Sequence, residues 1–94
     1  MNIFTVTGVA YSFPKKGSRC FGWYPSYKKA EKAVLENKGS LDEEGYYKHI
    51  VIEEIPKGVW NSPDSEVWFE WKDKSYVKIP KPKKYKSVVC FGMG

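Results

Sequence analysis

The 94 residues carry 16 Lys and Arg against 11 Asp and Glu, a formal charge of +5, and are 41% hydrophobic and 17% aromatic. That length holds one domain, and a chain of this size buries roughly 65% of its unfolded surface, enough for one core without disulfide or metal staples. No apolar run approaches the roughly 18 residues of a membrane span, and Met1-Asn2-Ile3-Phe4 lacks the charged and long apolar regions of a secretion signal, so a cytoplasmic protein without membrane contact is expected.

In chain order, Ile3, Thr5 and Thr7 alternate with Phe4 and Val6, so Asn2 to Ala10 reads as an opening strand with Gly8 at a candidate bulge or bend. The turn-rich stretch Tyr11 to Gly17 predicts a hairpin return into Ser18 to Tyr24. Strict alternation there puts Arg19, Phe21 and Trp23 on one face and Cys20, Gly22 and Tyr24 on the other. Ser26 is an N-cap for a helix over Tyr27 to Lys38, with Gly39 suited to the left-handed position beyond its end. Its apolar stripe is Tyr27, Ala30, Ala33, Val34 and Asn37, with Lys28, Lys29, Lys32 and Glu36 outside it. The two alanines let this helix sit close against a sheet. Ser40 to Glu43 resembles a capping box for one short turn.

Tyr46 to Ile55 is the strongest strand, ended by Pro56-Lys-Gly58, and Val59-Trp60 starts another short one. Glu66 to Lys72 and Ser75 to Ile79 form a hairpin around Asp73-Lys74. Pro80-Lys-Pro-Lys-Lys84 is a stiff connector into Ser87 to Phe91, which closes the sheet. The order β-β-α-β-β-β-β predicts an α+β fold, a single mostly antiparallel sheet of about five to six strands with one helix on one face.

The charge is polarised along the chain. Residues 72–86 hold seven Lys against Asp73, whereas residues 36–54 hold six acids against Lys38 and Lys48. That pattern argues against duplex DNA, which calls for a continuous basic stripe. Arg19 is the one Arg among fifteen Lys, and its planar fork suits a phosphate or a carboxylate. The 16 aromatic residues exceed what a small core holds. Trp68 alternates with Val67, Phe69 and Trp71, so burial of either face leaves a large ring on the other, available to stack a nucleobase or a partner.

Catalytic chemistry finds no support. Cys20 and Cys90 lie seventy positions apart, outside any metal-ligand spacing, and read as reduced, buried thiols. Cys20 with His49 has no local mark of a nucleophile–base pair. Glu53 and Glu54 point to opposite strand faces, and Glu53 lies about 13 Å from His49 along the strand. No enzyme activity, metal or cofactor is expected.

Arg19-Cys-Phe-Gly-Trp-Tyr-Pro-Ser through Ala30-Glu-Lys-Ala-Val34, Glu44-Gly-Tyr-Tyr through Val51-Ile-Glu-Glu54, Val67-Trp-Phe-Glu-Trp71 and the closing Phe91-Gly-Met-Gly94 together resemble a family of small proteins of unassigned function from Firmicutes and their phages. By analogy of size, source and composition, the resemblance implies a phage anti-defence sponge that sequesters a nucleotide second messenger of host immunity. With the lone Arg and the surplus rings, it sets the leading expectation: a non-catalytic binder of a cyclic oligonucleotide or an ADP-ribose derivative, acting as a homodimer or higher homo-oligomer. Its binding residues are expected among Arg19, Phe21, Trp23, Tyr46, Tyr47, Trp60, Trp68, Trp71 and Lys78. The alternatives are a single-stranded nucleic-acid-binding module that uses the same rings with the Lys run, and a protein-interaction module that binds a host partner through an aromatic sheet face.

Overall fold

Five strands form one sheet in a computed structural model that describes residues 2–10, 17–39, 41, 47–56, 63–85 and 91. They are β1 (Ile3–Val9), β2 (Ser18–Tyr24), β3 (His49–Ile55), β4 (Ser65–Lys72) and β5 (Ser75–Ile79), joined in the order β2-β1-β3-β4-β5. Every neighbouring pair is antiparallel. One helix, α1 (Tyr27–Leu35), packs on one face. The fold is therefore the expected α+β single sheet. The expected Val59-Trp60 strand, the Ser40 to Glu43 turn (Leu41 apart) and the closing strand short of Phe91 lie outside the described residues; Phe91 itself is in a turn.

The central strand β3 is buried on both faces, with only Glu54 half-exposed. On the helix side Ile50 and Ile52 join Val6, Phe69 and Tyr76 beneath Ala30, Val34 and Leu41. Both expected alanines are buried, and their small side chains allow the close approach of α1. On the other face Val9, Val51, Trp68, Tyr85 and Phe91 form a second core. Trp68 stacks on Tyr85 with ring centroids 5.2 Å apart, and Phe91 meets Trp68 edge-on at 5.1 Å. Tyr85 ends a short 3-10 turn, Lys83–Tyr85, so the segment after β5 covers this face. Glu53 is fully buried here and accepts the Phe91 amide at 3.1 Å.

Four local devices set the geometry. Ser26 caps α1 by accepting the Lys29 amide at 3.2 Å, as expected. The helix ends earlier than its apolar stripe suggests: Glu36 is the C-cap, and Asn37, at φ 49°, takes the left-handed position expected of Gly39. The Lys38 amide donates to the Ala33 carbonyl and the Asn37 amide to the Val34 carbonyl, the two bonds of a Schellman motif. In β2 the register shifts opposite Val6 and Thr7: Gly22 pairs with Val6 and Cys20 with Thr7, which leaves Phe21 as the extra residue of a bulge. Finally, β4 and β5 join through Asp73 and Lys74, both at positive φ, the mark of a type I′ hairpin.

Candidate functional site

The bulge decides what β2 offers. Across a one-residue insertion the alternation inverts, so Arg19 pairs with Gly8 and Trp23 with Thr5, on opposite sides of the sheet. The expected common face of Arg19, Phe21 and Trp23 is therefore not formed. The bulge instead turns Phe21 toward the helix-side core, where its edge meets the Tyr47 ring at 5.4 Å. The Arg19 guanidinium lies 5.0 Å from the Phe21 ring centroid, a cation–π contact on an exposed strand end. Trp23 is 59% exposed, the largest exposure of any big hydrophobic side chain among the described residues.

A groove of about 460 Å³ runs between β2 and the end of α1. Phe21, Gly22, Trp23 and Tyr24 form one wall, Ala33, Lys38 and Gly39 the other, and Val6 and Leu41 complete the lining. Four consecutive residues line one wall because β2 ends the sheet and presents its edge as well as a face. The volume falls within the roughly 300–1,000 Å³ of small-molecule pockets. Beside it lies a hollow of about 240 Å³, lined by Tyr24, Lys29, Lys32, Ala33, Glu36 and Lys38. Tyr24, Ala33 and Lys38 belong to both cavities, so an apolar aromatic slot lies directly beside a lysine-lined one.

The other expected site residues go elsewhere. Trp68 is 2% exposed, and its indole N–H donates to Glu66 at 3.0 Å. Trp71 packs edge-on against Tyr76 at 4.9 Å, on the margin of the helix-side core. Whichever face is buried, a large ring should have been left over; instead both faces are covered. Tyr47 is buried, and its carbonyl accepts the Tyr76 hydroxyl at 2.6 Å. Lys78 pairs with Glu31 at 3.6 Å, and Glu31 also accepts the Tyr27 hydroxyl at 3.0 Å. Burial first, then that bond and the charge of Glu31, push the Tyr27 pKa up to about 12. Tyr46 and Trp60 lie outside the described residues. Cys20, expected to be buried, is exposed.

A second hollow, of about 510 Å³ at the open end of the β4–β5 hairpin, brings Trp68 and Lys78 together with Glu66 and Lys81. Its charges answer one another, Lys81 lying 3.1 Å from Glu66, and the Trp68 ring faces its own core. Among the described residues, His49 and Glu70 form a largely buried titratable pair 3.5 Å apart. Burial lowers the His49 pKa against the pull of Glu70, with Lys84 and Lys48 also disfavouring its charge. Burial works to raise the Glu70 pKa but is outweighed by Lys72, His49 and Lys48, which hold it below the ordinary carboxylate range. With Trp68 and Tyr85 packed edge-on against its imidazole, His49 is a core residue. Among the described residues no three His, Cys, Asp or Glu gather to hold a metal, and no helix is long and apolar enough to cross a membrane.

Reading the sequence in isolation missed Tyr24, Lys29, Lys32 and Lys38. A signal was present for two of them, since Lys29 and Lys32 stand three residues apart and so share one side of a helix. What was missing was the strand facing that side. No family model, curated protein or solved structure matches the chain.

Proposed function

We propose that this protein binds a small phosphorylated nucleotide in the groove between β2 and α1 and holds it without converting it. The observation that carries the reading is the adjacency of the aromatic slot and the lysine-lined hollow, which share Tyr24, Ala33 and Lys38. A nucleotide has a flat, apolar base and an anionic phosphate within one molecule, and this site offers rings for the first and ammoniums for the second. Phe21 and Tyr24 are the rings that face the helix side of the slot, and Tyr24 borders both cavities, whereas Trp23, 59% exposed, adjoins the slot from the opposite side of β2. Arg19, over Phe21, stands one residue from the slot and adds positive potential. Sequestration of a nucleotide signal, the role that the family resemblance implies, follows from tight binding without turnover. The same reading has a second copy of the chain covering the open side of the groove, which sedimentation velocity with and without ligand tests.

Titration calorimetry with a panel of mono-, di- and cyclic nucleotides and ADP-ribose tests the core of the proposal. At least one of them binds the wild type, and denaturing the complex returns it intact. Tyr24→Leu weakens that ligand by about 5- to 150-fold, the worth of one base–aromatic stack of roughly 1–3 kcal/mol. Leucine keeps the apolar bulk of this half-buried side chain, so the urea midpoint stays within about 1.5 kcal/mol of wild type. Absence of binding across the panel sinks the reading, and recovery of a cleaved ligand replaces a binder with an enzyme.

A further inference from the structure

Which phosphorylated nucleotide fits is legible in the charges of the hollow. Lys29, Lys32 and Lys38 line it with one carboxylate, Glu36. The local balance is thus two positive charges in excess. A phosphomonoester carries about −1.5 to −2 at pH 7, whereas each phosphate of a cyclic or internal diester carries a single negative charge. Charge matching therefore favours a terminal monoester. Resting on the nucleotide reading above, we infer that the ligand is a linear nucleotide ending in a phosphomonoester, which sits among Lys29, Lys32 and Lys38 while the base occupies the slot lined by Phe21 and Tyr24.

Two features of α1 keep this hollow suited to an anion. The Lys32–Glu36 contact is a long 3.9 Å, between side chains 75% and 56% exposed, so Lys32 is held only loosely by its own helix. The negative end of the helix dipole lies near, but the Schellman bonds from Asn37 and Lys38 occupy the Val34 and Ala33 carbonyls, two of those that otherwise face an incoming anion. The same motif folds Lys38 back alongside Ala33, and Lys38 borders both cavities. It is the residue placed to follow a ligand from base to phosphate. Ammoniums are hydrated point charges without fixed geometry, so this subsite reads charge, and the slot must supply shape.

The test compares, for each of the four common bases, the nucleoside, the 5′-monophosphate and the 3′,5′-cyclic monophosphate by calorimetry on the full chain. The 5′-monophosphate binds about tenfold tighter than the cyclic form of the same base, a difference equal to one charge-assisted contact. Lys29→Gln and Lys32→Gln each erase most of that advantage and leave nucleoside binding unchanged. Glu36→Gln tightens the monophosphate about two- to fivefold, because it removes a like charge at an exposed site. Lowering the pH from 7.5 to 5.5 removes the second phosphate charge, whose pKa is about 6, and weakens the monophosphate alone. Equal affinity for the two phosphate forms, or lysine variants that weaken both forms and the nucleoside alike, overturns the inference. In that event the nucleotide reading survives wherever Tyr24→Leu still weakens binding. If no member of the series binds and the wider panel also fails, both fall together. Circular dichroism and urea midpoints confirm that the exposed-site variants remain folded.

Discussion

Gly8 shows how one missing methyl organises the ligand-facing edge. A Cβ at Gly8 would stand 2.8 Å from both the Phe21 Cε2 and the Tyr47 Cγ, closer than carbon atoms pack. Gly8 therefore provides room for the Phe21–Tyr47 pair. Gly8→Ala is expected to cost about 1–3 kcal/mol in urea unfolding through overpacking, and to shift the Phe21 ring from the groove wall. The sequence marks Gly8 as a bulge or bend; instead the bulge lies in the partner strand, opposite Val6 and Thr7, and Gly8 itself pairs regularly with Arg19 and Ile50. Its need for space comes from rings 13 and 39 residues away, and no local pattern encodes which rings those are. Lys29 and Lys32 were obscure for the same reason: alone they read as the solvated side of a helix, and only Tyr24 across the gap makes them a hollow.

At the level of elements, the alternation of small sets of residues carried most of the fold. All five described strands and the helix start at or within three residues of the positions their patterns predict, because period-two and 3.6-residue burial leave separate imprints. The helix end is the exception. Ala33, Val34 and Asn37 continue the apolar spacing, but Asn tolerates the left-handed region, and once it takes that position the helix stops three residues short of Lys38. That early stop opens the end of the groove. The β4–β5 turn holds Asp73 and Lys74 at φ 49° and 69°, and lysine has no side-chain group to offset the strain there. Lys74→Gly relieves it and stabilises the protein by about 1 kcal/mol, read as a higher urea midpoint with an unchanged slope. The inverted face of β2 could not be anticipated, since a bulge has no fixed sequence signature when its extra residue is a Phe rather than a Gly.

At the scale of the molecule, a second core takes up Trp68, Tyr85 and Phe91 from the aromatic surplus, and Trp23 is the large exposed ring among the described residues. Trp68, Tyr85 and Phe91 were countable in the sequence, but the return of the chain over the far side of the sheet depends on contacts between segments distant in sequence. Buried beside them, His49 makes stability depend on pH. In the unfolded chain the imidazole gains its proton near 6.5, and in the fold burial defers that to lower pH. Between those two values the unfolded chain binds more protons, so acidification through the window favours unfolding and a rise toward 6.5 restores stability. Glu70, lowered from 4.5, adds stability above that value and loses it at still lower pH. Urea midpoints are expected to fall as pH drops from 7 to 5, and His49→Phe flattens that part of the curve. An unchanged slope in the variant overturns the assignment.

The buried Glu53 carries a separate consequence. A cover made only of rings could settle on a sheet at several offsets with similar apolar contact. A carboxylate at a fixed depth that accepts the Phe91 amide, while Ser18 donates its hydroxyl to the Phe91 carbonyl at 3.0 Å, leaves Phe91 one seat. Glu53 thus acts as a locating pin, trading an apolar interior for a single answer to where the chain comes to rest.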